Sequence, residues 1–106
     1  MIDAAVVGEI ITQYEKHGWK VRRALLSPDS RNLSSHFDES VDMIESDFDA
    51  LWFSRRSKPE SEAWELRRLS STPFALVTVV PTDAVSGELE AALAQIESDM
   101  RERTIA

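Results

Sequence analysis

The sequence predicts an α+β fold: a two-layer sandwich in which a mostly antiparallel, four-stranded sheet carries the long N- and C-terminal helices on one face. Two observations predict it. Apolar residues recur at helical spacing near each end of the chain, and at a period of two or in short β-prone runs between them. With 106 residues the chain fits one domain, 1–106, since globular domains cluster near ~100–150 residues.

Over residues 3–17, Val6, Val7, Ile10, Ile11 and Tyr14 fall on one helix face. The ends agree: Asp3 suits the positive end of the helix dipole, and Lys16 and His17 suit the negative end. Gly18 suits a left-handed residue after the last turn. From Trp19 the period drops to two, with Trp19, Val21, Arg23 and Leu25 alternating with Lys20, Arg22, Ala24 and Leu26, which predicts a strand. Trp19 is expected to anchor the first helix to the sheet.

Ser27-Pro28 reads as an N-cap followed by proline at the first helical position, so a short helix over 28–36 is one reading. The Ser, Asn and Asp residues of 27–38 suit an irregular loop equally. Residues 38–49 hold six acids and no base. Phe37, Val41, Ile44 and Phe48 keep helical spacing there, yet Val41, Met43 and Glu45 alternate, and an irregular or edge-strand conformation is the preferred expectation.

The bulky run Ala50–Arg55 predicts a strand, and the polar break Ser57–Ser61 around Pro59 should turn it back as a hairpin against Ala63–Leu69. Such a hairpin sets Trp52 opposite Leu66 and Ser54 opposite Trp64, with both tryptophans on one face and Leu51, Phe53, Glu65, Arg67 and Leu69 on the other. Ser70–Pro73 makes the next turn. Phe74–Val80 is the most β-prone run, and Pro81 ends it. A last helix, beginning near Asp83 or Ser86, aligns Leu89, Leu93, Ile96 and Met100; Glu97 with Arg101 and Asp99 with Arg103 are spaced as i, i+4 ion pairs.

Charge and composition exclude several functions. A net charge of −7 argues against broad nucleic-acid binding, which needs clustered bases to neutralise phosphates. The absence of cysteine removes thiolate metal sites, iron–sulfur clusters and cysteine nucleophiles. No apolar run reaches the ~20 residues of a membrane span, and the N-terminus lacks a basic signal-peptide region, so a soluble cytoplasmic chain is expected. Glycines 8, 18 and 87 are isolated, and neither a phosphate-binding glycine loop nor a nucleophile elbow occurs. No catalytic residue and no cofactor is assigned on these grounds.

Three candidate sites follow. The last strand is apolar on both faces, so Leu76, Val77 and Val79 are candidates for self-association or contact with a protein partner, a homodimer being one form. Eight of the twelve bases lie in the first strand and the hairpin, which suggests an anion- or small-molecule-binding surface built from Arg22, Arg55 and Arg67 with Trp52 and Trp64. Ion pairing of those arginines with neighbouring glutamates is the plainer reading, because adjacent arginines on a regular strand face opposite ways. His36 with Asp38 is the one acid/base or metal-type grouping, and it lacks the glycine and closing glutamate of a calcium loop. The leading expectation is a non-catalytic binding or assembly module.

Overall fold

The computed structural model describes residues 4–69 and 74–105. Asp3 and the expected turn at 70–73 lie outside them. Along the chain run α1 (Ala4–Lys16), β1 (Lys20–Leu26), a 3₁₀ helix (Pro28–His36), β2 (Asp42–Glu45), β3 (Ala50–Lys58), β4 (Ser61–Arg68), β5 (Phe74–Pro81) and α2 (Ser86–Ile105). The five strands form one sheet in the order β2-β1-β3-β4-β5.

The sheet is mixed rather than four-stranded and antiparallel. β2 pairs parallel to β1, Arg23 opposite Asp42 and Leu26 opposite Glu45, while every other pairing is antiparallel. A parallel pair needs a crossover of about a dozen residues or more, and 27–41, with its 3₁₀ helix, supplies one. Asp49 holds that crossover in place: its carboxylate accepts from the Ser27 backbone N–H at 2.7 Å and from the buried Ser30 hydroxyl at 2.9 Å. The β3–β4 register is the expected one, with Trp52 opposite Leu66 and Ser54 opposite Trp64.

The helices pack on opposite faces, not on one. α1 lies with Val7 over Leu51, Phe53, Ala24 and Leu26, joined by Ile10, Ile11, Tyr14 and Trp19. α2 lies with Leu93 and Met100 over Trp52, Trp64, Leu66 and Val80, joined by Leu89 and Ile96. The physical cause is that Ala50–Ser54 of β3 is buried on both faces, and an apolar face on each side of a sheet requires a cover on each side. The two-sided apolarity of β3 is thus satisfied within the chain.

α1 ends as its sequence implies. Gly18 has φ +86°, and the backbone N–H groups of Trp19 and Gly18 donate to Tyr14 and Glu15 carbonyls at 3.1 Å each. This is the Schellman arrangement, and it carries the usual apolar contact, since the Trp19 ring meets the Tyr14 ring edge-on at 6.1 Å.

A second departure lies in β1. Val21 pairs with Phe53 but Arg23 pairs with Trp52, so one extra residue, Arg22, bulges from the ladder. Arg22 and Arg23 therefore share the α2 face instead of dividing between the two.

Candidate functional site

On the α2 face the bulge brings together Arg22, Trp52 and Trp64. The Arg22 guanidinium sits 5.1 Å from the Trp64 ring centroid and donates to the buried Ser54 hydroxyl at 3.1 Å. Trp52 and Trp64 meet edge-to-face at 6.2 Å, and both are buried beneath α2. Arg23 reaches across to Glu90 of α2, Nη1 to Oε1 at 3.1 Å. That hydrogen bond raises the Arg23 pKa and lowers the Glu90 pKa. The tryptophans are thus core residues with an arginine laid over one of them, and their faces are not open for stacking a ligand.

Arg55 and Arg67 lie on the other face. Arg55 is a helix cap: it donates to the His17 carbonyl at 2.8 Å, against the negative end of α1, and its guanidinium stands 5.3 Å from the Trp19 ring centroid. The five residues expected to form one basic, tryptophan-bearing surface are therefore split between the two faces. Arg22 stands with Trp52 and Trp64, and Arg55 and Arg67 stand on the α1 side.

Arg67 lines a groove of about 690 Å³ between α1 and β4, with Ala5, Gly8, Ile10, Gln13 and Tyr14. Tyr14 stacks on Phe53 of β3, ring centroids 3.9 Å apart and planes 13° from parallel. From there its hydroxyl donates to the Glu65 carboxylate of β4. Burial, and then this hydrogen bond to Glu65, push the Tyr14 phenol well above its ordinary pKa of 10, against the smaller opposing field of Arg67. Arg67 has neither an ion pair nor a hydrogen bond among the described residues, and its Nε is a buried donor with no partner. Sequence reasoning does not single out Tyr14, Glu65 or Gly8 as site residues. The available signal is that Glu65 and Arg67 alternate onto the face of Phe53, the face α1 must cover.

Among the described residues β5 is the edge of the sheet beyond β4, with no strand on its outer side. Leu76 faces α2 and packs on its core, while Val77 and Val79 face the other way and are 55% and 58% exposed. α1 covers β1 and β3 but leaves this outer part of the face open. The three apolar residues expected to associate are thus one partly buried side chain and two exposed ones.

The acidic segment is dispersed by its partners. Glu45 pairs with Arg31 at 3.5 Å, Arg101 Nε donates to both Asp47 oxygens at 2.9 Å, Asp49 binds the crossover, and Asp38 accepts from Ser40. Among the described residues no group of three His, Asp or Glu side chains converges as a metal site would require, His36 and Asp38 included. Nor is any described helix long and apolar enough to cross a membrane. Comparison with protein-family models, curated proteins and solved structures finds no match to this chain.

Proposed function

We propose that the protein is a non-catalytic assembly module whose partner is a second copy of itself, joined edge to edge along β5 about a two-fold axis. The observation that carries this reading is the charge pattern of β5. Phe74–Pro81 is a free edge without one ionisable side chain, in a chain whose net charge is −7. Folded proteins ordinarily guard a long edge strand with charge, a bulge or brevity. The opposite edge is guarded in that way: β2 has four residues, and Asp42 and Glu45 stand at its ends.

In an isologous interface the same patch meets itself, residue i on j and j on i, so a charge lying at or near the two-fold axis faces its own copy. β5 avoids that repulsion in every antiparallel register, and such pairing satisfies its outward backbone groups. It also brings the exposed Val77 and Val79 of the two copies together on the half-face that α1 leaves open. Pro81, lacking an N–H, closes the strand.

Light scattering after size-exclusion chromatography tests the reading. The expected mass is twice 12.0 kDa, and Val77→Asp and Val79→Asp should each return it to 12.0 kDa with an unchanged circular-dichroism spectrum, because both side chains are exposed. A parental mass of 12.0 kDa across a roughly hundredfold concentration range overturns it, as does a dimer that both variants leave intact.

A further inference from the structure

We propose that the groove between α1 and β4 is a binding site for a small organic monoanion, a carboxylate with a compact apolar body, whose charged end is held by Arg67. The site is independent of the β5 seam and uses none of its residues.

The case begins with the uncompensated donor. Buried polar nitrogens in folded proteins nearly always have a partner, and Arg67 Nε has none among the described residues. The nearby acid, Glu65, is engaged by the Tyr14 hydroxyl. Nε itself is closed to solvent, so a carboxylate entering the groove meets the terminal guanidinium nitrogens of Arg67. These have no protein partner among the described residues and present two donors in a planar fork matched to two carboxylate oxygens.

The cavity fits a small molecule. Its volume of about 690 Å³ lies within the ~300–1,000 Å³ of ligand sites. Apolar walls come from Ala5, Ile10 and the Tyr14 ring, and Gln13 adds a polar group. Gly8 keeps the wall low, since a Cβ built there meets no atom within 4 Å and would project into open space. Charge narrows the class further. Glu9 also lines the groove and Glu65 stands beside it, so a polyphosphate or other multiply charged anion meets stronger repulsion than a single carboxylate does.

The experiment is a ¹H–¹⁵N NMR titration of the full chain with benzoate, following the Gly8 amide and the Arg67 Nε–H. Pyrophosphate and chloride serve as controls at matched ionic strength. Saturable shifts at both probes, with a Kd of about 1 mM or tighter, are expected for benzoate alone. Arg67→Met should weaken binding at least tenfold, and Gly8→Leu, which fills the groove without altering charge, should do the same. Either variant suffices if the other fails to fold. Absence of saturable shifts, equal shifts with pyrophosphate or chloride, or undiminished affinity in a folded variant each overturns the assignment. Running the titration also on Val79→Asp separates it from the assembly reading: a change in mass tests β5, and the shifts at Gly8 and Arg67 test the groove.

Discussion

Trp52 donates its indole N–H to the Glu97 carboxylate of α2 at 2.8 Å, and the tryptophan is fully buried. One hydrogen bond thereby ties the centre of the sheet to the middle of the helix that covers it. Replacing Glu97 by Leu leaves the indole donor without an acceptor, an orphaning that costs about 1–3 kcal/mol. Glu97→Gln keeps a carbonyl oxygen within reach and should lose less. Urea unfolding followed by tryptophan fluorescence should rank parent, Gln and Leu in that order of stability. Equal midpoints for Leu and Gln would show that the hydrogen bond contributes nothing.

The Tyr14–Glu65 contact makes a spectroscopic prediction. The chain has a single tyrosine, so tyrosinate absorbance near the red edge of the ultraviolet band reports Tyr14 alone. Burial and the bond to Glu65 raise its folded-state pKa above the unfolded value near 10. The neutral phenol's contribution to stability is then fully present below pH ~10 and is lost as pH rises through the folded-state value. Native protein should therefore show no phenolate signal at pH 10, whereas protein in urea should be about half ionised. A Glu65→Gln variant should titrate at lower pH than the parent. A native signal at pH 10 matching that of the unfolded chain would contradict the buried hydrogen bond.

Much of the fold is legible in local pattern. The helical spacing of Val7, Ile10, Ile11 and Tyr14, and of Leu89, Leu93, Ile96 and Met100, marks the two helices and the faces they bury. The polar break at Pro59 sets the β3–β4 register to the residue. What local pattern does not carry is which face each helix takes, since each helix has one apolar stripe and the central strand is apolar on both sides. Residues 38–49 keep two periods at once, and pairing with β1 decides in favour of a short parallel strand. The i, i+4 ion pairs expected in α2 yield to tertiary partners: Glu97 turns to Trp52, Arg101 to Asp47, and Arg103 lies over the Phe74 ring. The groove escapes sequence reasoning because it is built from α1 and β4, whose residues Tyr14 and Arg67 stand more than fifty positions apart.

Gly18 offers a test of the α1 terminus. At φ +86° an alanine is strained whatever space surrounds it. Left-handed backbone costs an L-residue roughly 1–2 kcal/mol, so Gly18→Ala should lower stability by about that amount. Gly8→Ala, mid-helix with open space around it, should instead raise stability by roughly 0.5–1 kcal/mol. Thermal denaturation of the two variants should move the melting temperature in opposite directions, and a common direction would rule out this account of the cap.

The bridging ion pairs should shape the acid limb of stability. Hydrogen bonds from Arg101 lower the Asp47 pKa, and those from Arg23 lower that of Glu90. A carboxylate whose folded-state pKa is depressed contributes stability present above its unfolded pKa, and that contribution is lost as pH falls through the folded value. The melting temperature should thus be flat from pH 7 to about 5 and fall below pH ~4. Both acids are solvent-exposed, so the effect is small and high salt should shrink it. In an Arg23→Ala, Arg101→Ala double variant the acid limb should be shallower than in the parent. An identical limb would assign acid sensitivity to other groups.

The bulge at Arg22 predicts an asymmetry between two single-residue deletions. Removing Arg22 leaves Val21 opposite Phe53 and Arg23 opposite Trp52 in a regular ladder, with every buried side chain of β1 on its own face. The losses are the contacts of Arg22 with Ser54 and the Trp64 ring. Removing Ala24 is different in kind. If the bulge absorbs the deletion, Arg23 moves into the place of Ala24 opposite Leu51, a site with no solvent exposure inside the α1-side core. An unpaired guanidinium there carries a desolvation penalty of several kcal/mol, a large share of the ~5–15 kcal/mol that holds a domain together. If the bulge stays, Val21 and Trp19 move to the opposite face and α1 loses its anchor. The Arg22 deletion should fold with a modest loss in melting temperature, and the Ala24 deletion should yield unfolded chain by circular dichroism. Comparable folding of the two would mean that β1 does not use its extra residue to hold the faces in phase.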